Sequence, residues 1–212
     1  MKLAIAALAA LAFAAPAHAQ IDEVRGGIAA HDLRWIGTLD KKEPSVALQG
    51  EVIFEEPEFL KWALSPHPYV AGTLNLADET SYGGAGLMWR TGIGERFYGD
   101  FSFGLVVHDG ALTVKYEPVS YLASAGLTPQ DITPESSTAV IQALFEEFLF
   151  RDANTIEYGS RVLFREQLTL GYRINDDWAA EAFFEHISNG YLLSDRANDG
   201  SDAGGFRVAR RF

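Results

Sequence analysis

The segment Phe97–Val107, FYGDFSFGLVV, alternates bulky apolar residues with small or polar ones. Phe101, Phe103 and Leu105 share one face, while Asp100 and Ser102 lie on the other. Successive residues of a β-strand point to opposite faces, so this period of two predicts a strand with one apolar and one polar face. Its length is close to the roughly 9 to 11 residues that a tilted strand needs to cross a bilayer.

Seven other segments follow the same alternation, which gives eight predicted strands. They are Gly26–Ile36, Val46–Phe54, Pro68–Leu76, Gly83–Ile93, Phe97–Val107, Gly159–Ile174, Trp178–Ser188 and Gly204–Phe212. An even number of strands of this length is typical of bacterial outer-membrane barrels. The chain is therefore predicted to be all-β, an eight-stranded antiparallel transmembrane β-barrel.

The alternation alone does not say which face lies inside. A soluble sandwich or lipocalin-type barrel would place the apolar face in its interior. The polar faces carry Gln49 and Glu51 in the second strand and Arg165 and Gln167 in the sixth. Side chains must fill the interior of an eight-stranded barrel, and the Phe-rich faces are too bulky for that space. The membrane alternative, with an apolar exterior, is therefore favoured over the soluble one.

Residues 1–19 have the features of a signal peptide. Lys2 provides the positive charge, an apolar run extends to Ala15, and Ala17-His18-Ala19 forms an Ala-x-Ala cleavage site. The apolar run is too short to span a bilayer. Residues 20–212 are then expected to form one exported barrel domain. Since the chain has no cysteine, no disulfide holds that domain together.

Charge and motifs exclude several function classes. The net charge is −12 and becomes −13 once a leader containing Lys2 is removed, so nucleic acid is a poor partner. The sequence has no phosphate-binding loop, zinc motif or Gly-x-Ser-x-Gly elbow. Neither a metal ion nor an organic cofactor is therefore expected.

The last residues favour the same membrane. Phe206, Val208 and Phe212 share one face of the final strand, and the chain closes on an aromatic residue. This resembles the terminal signal that the outer-membrane assembly machinery recognises. Together with the leader, it predicts the outer membrane of a Gram-negative cell.

The connections differ greatly in length. With a periplasmic N-terminus, the segments His108–Tyr158 and Gly190–Ala203 lie at the outer rim. The connection Glu55–His67 then lies in the periplasm and is long for that side. In the insertion, Thr133-Pro134-Glu135 predicts a helix start. An apolar stripe follows, which favours packing over the barrel mouth rather than contact with lipid headgroups: Val140, Ile141, Leu144, Phe145, Phe148 and Leu149.

The candidate site lies between Glu185 and Gly205. His186 and Ser188 are two residues apart on a strand, so they share a face and the imidazole can accept the serine proton. If the last two strands pair so that His186 faces Asp202, all three side chains share the face of the lipid-contacting residues. Ser188 is then a candidate nucleophile, His186 its base and Asp202 the acid that orients the base.

Acyl transfer also requires donors for the developing oxyanion. The nearest candidates are the amide of Asn189 and the backbone N–H groups around Gly190. His-x-Ser by itself is a weak motif, however. The alternative is an ordinary polar rim of a structural barrel.

The tetrapeptide His186-Ile187-Ser188-Asn189, followed by Asn198-Asp199-Gly200 and by Asp202, resembles the lipid A 3-O-deacylase family, also called PagL or acyloxyacyl-hydrolase-like. The resemblance implies an eight-stranded outer-membrane barrel that removes the 3-O-linked acyl chain of lipid A with a Ser-His-acid triad. It further implies that Asn198 supports the site loop. The family carries glutamate where this chain has Asp202, and the loop here is about two residues longer. Asp195 and Asp199 are therefore alternative acids.

The resemblance predicts an outer-membrane serine esterase whose partner is lipid A, or lipopolysaccharide, in the outer leaflet. Two alternatives stay open: a non-enzymatic barrel for membrane integrity or adhesion, and an esterase for phospholipid. A homodimer is compatible with all of them.

Overall fold

The computed structural model describes residues 20–33, 42–114, 122, 128, 133 and 137–212. The predicted signal peptide lies outside these residues. Eight antiparallel strands close into a barrel in chain order, with β1 pairing with both β2 and β8. They are β1 Ile21–His31, β2 Ser45–Phe54, β3 His67–Asn75, β4 Tyr82–Ile93, β5 Phe97–His108, β6 Val162–Arg173, β7 Trp178–Ser188 and β8 Ser201–Arg211. The predicted fold class is confirmed.

Three predicted strand starts are wrong, those of β1, β6 and β8, and glycine accounts for the first two. β1 begins at Ile21 rather than Gly26, because Gly26 and Gly27 lie inside the strand and Gly27 allows close packing. A Cβ on Gly27 would lie 2.2 Å from the backbone oxygen of Phe206 on β8. β6 begins at Val162 because Gly159 has φ +69° and belongs to a turn.

The interior of the barrel is filled by paired charges. Arg25 donates to Glu23 and Asp100 at 2.6 Å each, and Arg165 pairs with Glu51 and Glu185. Buried charges are tolerated when they are paired and hydrogen-bonded, and each of these arginines is paired with at least two carboxylates. The predicted polar interior is confirmed. Its buried charged members are Glu23, Arg25, Glu51, Asp100, Arg165, Glu181, Glu185 and Arg207.

The outer wall is apolar. Large side chains project from every second position of the strands and remain exposed in the isolated chain, as expected for a surface that meets lipid. Examples are Ile28, Leu48, Leu74, Phe101, Phe103, Leu105, Leu168, Leu170, Phe206 and Val208. The strands, with this wall and a polar interior, span a membrane as predicted.

The two ends of the barrel are named here by their connections. The loop rim carries the connections 32–44, 76–81, 109–161 and 189–200, and the turn rim carries 55–66, 94–96 and 174–177. The long connection at the turn rim contains a 3-10 helix, Glu58–Ala63. The loop rim carries helix α1, Ser137–Ala153.

The apolar stripe of α1 is only partly covered. Leu144 is buried, whereas Ile141, Phe145 and Leu149 are exposed. The Ser137 N–H donates a hydrogen bond to the Thr133 backbone oxygen at 2.8 Å, which agrees with the predicted helix start at Thr133. Residues 134–136 lie outside the described residues. Among the described helices, none has the length and apolarity to cross a bilayer.

A candidate active site on the outer wall

His186 and Asp202 meet across the hairpin of β7 and β8 at the loop rim. The two residues are register partners, which is the pairing supposed for the last two strands, and Nδ1 of the imidazole lies 2.7 Å from Oδ1 of Asp202. The His186 side chain is 19% exposed and that of Asp202 is 0% exposed. A buried carboxylate thus holds one imidazole nitrogen and leaves Nε2 directed away from it.

Asp202 is buried although it lies on the outward face of β8. The start of the β1–β2 connection covers this region: the Leu33 N–H donates to the Asp202 backbone oxygen at 2.8 Å. The Leu33 side chain lies next to Gly204, where an added Cβ would come within 3.0 Å of Leu33 Cδ1. Shielding from water strengthens the interaction between Asp202 and the imidazole.

Ser188 and His186 converge on Gly200, which ends the β7–β8 loop. A Cβ built on Gly200 would lie 3.2 Å from His186 Cε1 and 3.4 Å from Ser188 Cβ. Gly200 also has φ +64°, a conformation that residues with a side chain rarely adopt. Glycine at this position therefore leaves the space between the two side chains open.

Asn189 does not have the arrangement that an oxyanion donor requires. It is fully buried, and Nδ2 donates to the backbone oxygens of Tyr158 (2.7 Å) and Ala197 (2.8 Å). Its Oδ1 accepts from the Tyr191 N–H at 2.7 Å. Both amide hydrogens are therefore used to hold the loop. The prediction of Asn189 as the side-chain donor is corrected on this geometry.

Asn198 and Gly190, in the same loop, each have an N–H group that is not used to hold the loop in the described part of the chain. The Asn198 Oδ1 accepts from the Asn189 N–H at 2.8 Å, which fixes the amide plane. Among the described residues, no acceptor is hydrogen-bonded to Asn198 Nδ2 or to the Gly190 N–H. Gly190 has φ +61°, and a Cβ built on it would lie 3.4 Å from the Phe164 ring.

The two alternative acids lie elsewhere. Asp199 accepts from Lys42 Nζ (2.8 Å) and from the Glu157 N–H (3.0 Å), and its own N–H donates to the Glu157 oxygen. Asp195 is exposed in the loop. Of the three candidate acids, Asp202 is the one that contacts His186. Asp199 instead joins the site loop to the end of the long insertion.

A buried polar layer supports the loop rim from inside. The N–H groups of Thr80 and Ile156 donate to Glu43 at 3.2 Å each, and His31 Nε2 lies 3.8 Å away. Burial alone would raise the pKa of Glu43, but His31 and these donors hold the pKa below its usual value. Burial, reinforced by the charge of Glu43, raises the pKa of Tyr158 well above its usual value. The Glu43 carboxylate thus contributes stability at neutral pH that is lost as the pH falls through its lowered pKa.

Comparison with known proteins supports the resemblance seen in the sequence. The sequence model of the family described as lipid A 3-O-deacylase (PagL) matches residues 81–211, which is more than half of the chain. This chain belongs to the lipid A 3-O-deacylase family. The match includes β4 to β8 and therefore every residue of the candidate site.

One solved structure shows the same fold. The crystal structure of the outer membrane enzyme PagL is similar with a TM-score of 0.52 and 9% identity, covering 90% of this chain and 99% of that one. Neisserial surface protein A is also similar (TM-score 0.49, 7% identity, 90% and 96% coverage). No curated protein sequence matches the chain. Membership of the deacylase family, with this fold, places the chain in the outer membrane of a Gram-negative cell, as predicted.

Sequence reasoning missed Glu166, an acidic residue beside the site of this deacylase-family chain. It is the register partner of His186 on β6, so it lies on the outward face opposite Asp202. Glu166 is half-buried, and its Oε2 has no hydrogen-bond partner among the described residues. Pairing β6 with β7 around the short turn Asn175-Asp176-Asp177 would have revealed it.

A groove on the outer wall was also missed. It has a volume of about 520 Å³ and crosses the wall from β6 over β7 and β8 to β1, with the small residues Ala180 and Ala182 of β7 in its lining. Ala182 is four residues from His186, roughly 13 Å along a strand at about 3.3 Å per residue. The rest of the lining includes Leu170 and Tyr172 on β6, Phe206 and Val208 on β8, and Gly26, Gly27 and Ile28 on β1.

Proposed function

We propose that the chain is a serine esterase that hydrolyses the 3-O-linked acyl ester of lipid A. The observation that carries the proposal is the hydrogen bond from His186 to the buried Asp202, beside Ser188, on the lipid-facing side of the barrel. A hydrolase for water-soluble esters would need a site open to water. A site on the outer wall suits a substrate that stays in the bilayer.

In the first step, the Ser188 oxygen attacks the ester carbonyl carbon and its proton passes to His186 Nε2. Asp202 accepts a hydrogen bond from Nδ1, which fixes the tautomer and stabilises the imidazolium. The tetrahedral intermediate then expels the sugar hydroxyl, which takes the proton from Nε2. An acyl-enzyme on Ser188 remains.

In the second step, water replaces the alcohol. His186 takes a proton from the water as the water oxygen attacks the acyl carbon, and the proton then returns to the Ser188 oxygen. A free fatty acid leaves. These two steps use residues of one chain only, so the proposal requires no second copy.

The developing oxyanion needs donors that face the outer wall. We assign this role to Asn198 Nδ2 and the Gly190 N–H, since Asn189 uses its amide hydrogens elsewhere. The Asn189 N–H holds Asn198 by its oxygen, so the Asn198 amide nitrogen is pre-oriented. Loss of one such donor in other enzymes costs roughly 3 to 4 kcal/mol of transition-state stabilisation.

The outer wall also provides room for the acyl chain. With the loop rim at the cell surface, the groove lies deeper in the membrane than the site, and it reaches β7 at Ala182, four residues from His186. An acyl chain attached to Ser188 can pass along the outer face of β7 and enter the groove at Ala182. Glu166 offers an unpaired acceptor on the same face for a donor group of the substrate.

Mass spectrometry of lipid A tests the proposal. Refolded protein in detergent is incubated with lipid A, and the wild type should remove one ester-linked chain. Ser188→Ala should abolish the loss, whereas Ser194→Ala, in the same loop, should not. Intact lipid A after incubation with folded wild-type barrel would refute the proposal, and release of fatty acid from phospholipid alone would redirect it to a phospholipid esterase.

A further inference from the structure

The connection between β2 and β3 places a short helix at the turn rim with its apolar side chains uncovered. Residues Glu58–Ala63 form a 3-10 helix, and none of them is buried. Phe59 is 73% exposed, Trp62 83% and Leu64 84%. Three large apolar residues within six positions would be costly in water.

The geometry of the helix separates apolar from charged residues. In a 3-10 helix, residues three apart lie above one another. Phe59 and Trp62 therefore share one edge, and Glu58 and Lys61 share the next, where their side chains form an ion pair at 2.7 Å. The helix thus presents an aromatic edge beside a charged one, the pattern of a segment that lies in a membrane interface.

The helix is held against the outer wall of the barrel. Trp89 Nε1 donates to the Ala63 oxygen at 2.8 Å. Trp89 stacks on Phe101 of the lipid-facing wall, with ring centroids 6.0 Å apart. The uncovered residues of the connection are therefore continuous with the surface that meets lipid.

We propose that residues 58–64 form an interfacial anchor that inserts Phe59, Trp62 and Leu64 into the phospholipid leaflet at the turn rim. The site lies on β7 and β8, on the opposite side of the barrel and at the opposite rim. An anchor in this position fixes the depth of the barrel on the side away from the site. The inference is independent of the esterase chemistry.

Spin labels attached to single cysteines test the anchor, because the natural chain contains no cysteine. Trp62→Cys and Phe59→Cys place labels on the aromatic edge, and Glu58→Cys places the matched control on the charged edge. The labelled barrels are reconstituted in phosphatidylethanolamine and phosphatidylglycerol vesicles. Collision rates with oxygen, which concentrates in lipid, and with a water-soluble nickel chelate are then measured.

The ratio of oxygen to nickel collisions should be several-fold higher at positions 59 and 62 than at position 58. Equal ratios at the three positions, with the nickel chelate dominant, would overturn the anchor. Dipolar broadening that disappears on dilution with unlabelled protein would show that a second copy covers the helix, and would also overturn it. Folding of each variant is checked by the gel mobility of the unheated barrel. If either aromatic replacement prevents folding, Leu64→Cys provides the same measurement.

Discussion

Ser188 and Asn189 are neighbours in the sequence, yet their side chains serve different parts of the molecule. Ser188 lies on the outward face with His186, whereas Asn189 is fully buried and binds Tyr158 and Ala197. The first arrangement follows from strand periodicity and could be predicted. The second depends on backbone groups 31 and 8 residues away, which no local pattern reveals.

Replacement of Gly200 should lower activity far more than it lowers the stability of the fold. In Gly200→Ala, the new methyl group would crowd His186 Cε1 and Ser188 Cβ, so deacylation should fall by at least about 100-fold. Gly94→Ala is the matched control, because Gly94 has a similar φ of +71° and nothing within 4 Å of the added Cβ.

Both glycine variants should lose about 1 kcal/mol or more of unfolding free energy, since alanine is strained at positive φ. Initial rates of fatty acid release and urea midpoints in vesicles measure the two effects. Equal activity of the two variants would show that Gly200 does not shape the site.

At the scale of elements, the site loop depends on the long insertion. Asp199 joins the loop to Glu157 and Lys42, and Asn189 joins it to Tyr158. Because connections from odd to even strands all lie at one end of an antiparallel barrel, the sequence predicted that both segments lie at the same rim. It did not show that they touch, because the contacts join residues far apart in the chain, such as Asp199 and Glu157.

Asp199→Ala should lower kcat by about 10- to 100-fold with little change in KM, because a loop that shifts by 1 Å misplaces the oxyanion donors. Asp195→Ala, an exposed replacement in the same loop, should leave both constants unchanged. Asp202→Ala should cost more than either, about 10⁴-fold, since it removes the partner of His186. Steady-state kinetics with lipid A gives the ranking. If Asp199→Ala were as inactive as Asp202→Ala, the assignment of Asp202 as the acid of the triad would be contradicted.

The groove that crosses β7 at Ala182 predicts a dependence on acyl length. Ala182→Phe places a large ring where a long acyl chain would enter the groove, so release of long acyl chains should drop several-fold relative to short ones. Ala85→Phe places the same ring on the outer wall of β4 as a control. Mass spectrometry of the fatty acids released from substrates with different chain lengths measures the ratio. An unchanged length profile in Ala182→Phe would show that the chain does not lie over β7.

At the scale of the whole molecule, the paired interior charges hold the barrel together. Arg207 donates to Gln49 (2.9 Å) and Thr169 (3.0 Å) and pairs with Glu181 and Glu51. Arg207→Leu leaves buried carboxylates with fewer partners and should cost about 3 to 5 kcal/mol.

Arg210→Leu changes the same residue type on the outward face of β8, where Arg210 lies over the Trp178 ring, and should cost about 1 kcal/mol or less. Urea unfolding from lipid vesicles gives both values. Equal losses in the two variants would contradict a stabilising role for the interior network.

The whole barrel could be anticipated because alternation, strand length and strand count agree. The periodicity predicted that His186 and Ser188 share a face, whereas the β7–β8 register that brings His186 to Asp202 was a supposition that the structure bears out. The start of β1 could not be placed, since Gly26 and Gly27 look like a boundary although both lie inside the strand. The groove and Glu166 arise from neighbouring strands and need the assembled wall.

Covalent trapping of Ser188 tests the central claim most directly. A long-chain alkyl fluorophosphonate is presented in detergent micelles to the wild type and to His186→Ala, and the digested chains are analysed by mass spectrometry. Attack by the activated serine forms an oxygen–phosphorus bond and expels fluoride. The account predicts a phosphonylated peptide carrying Ser188 in the wild type and none in His186→Ala. If the fluorophosphonate abolished deacylation of lipid A while Ser188 stayed unmodified, the account would be contradicted.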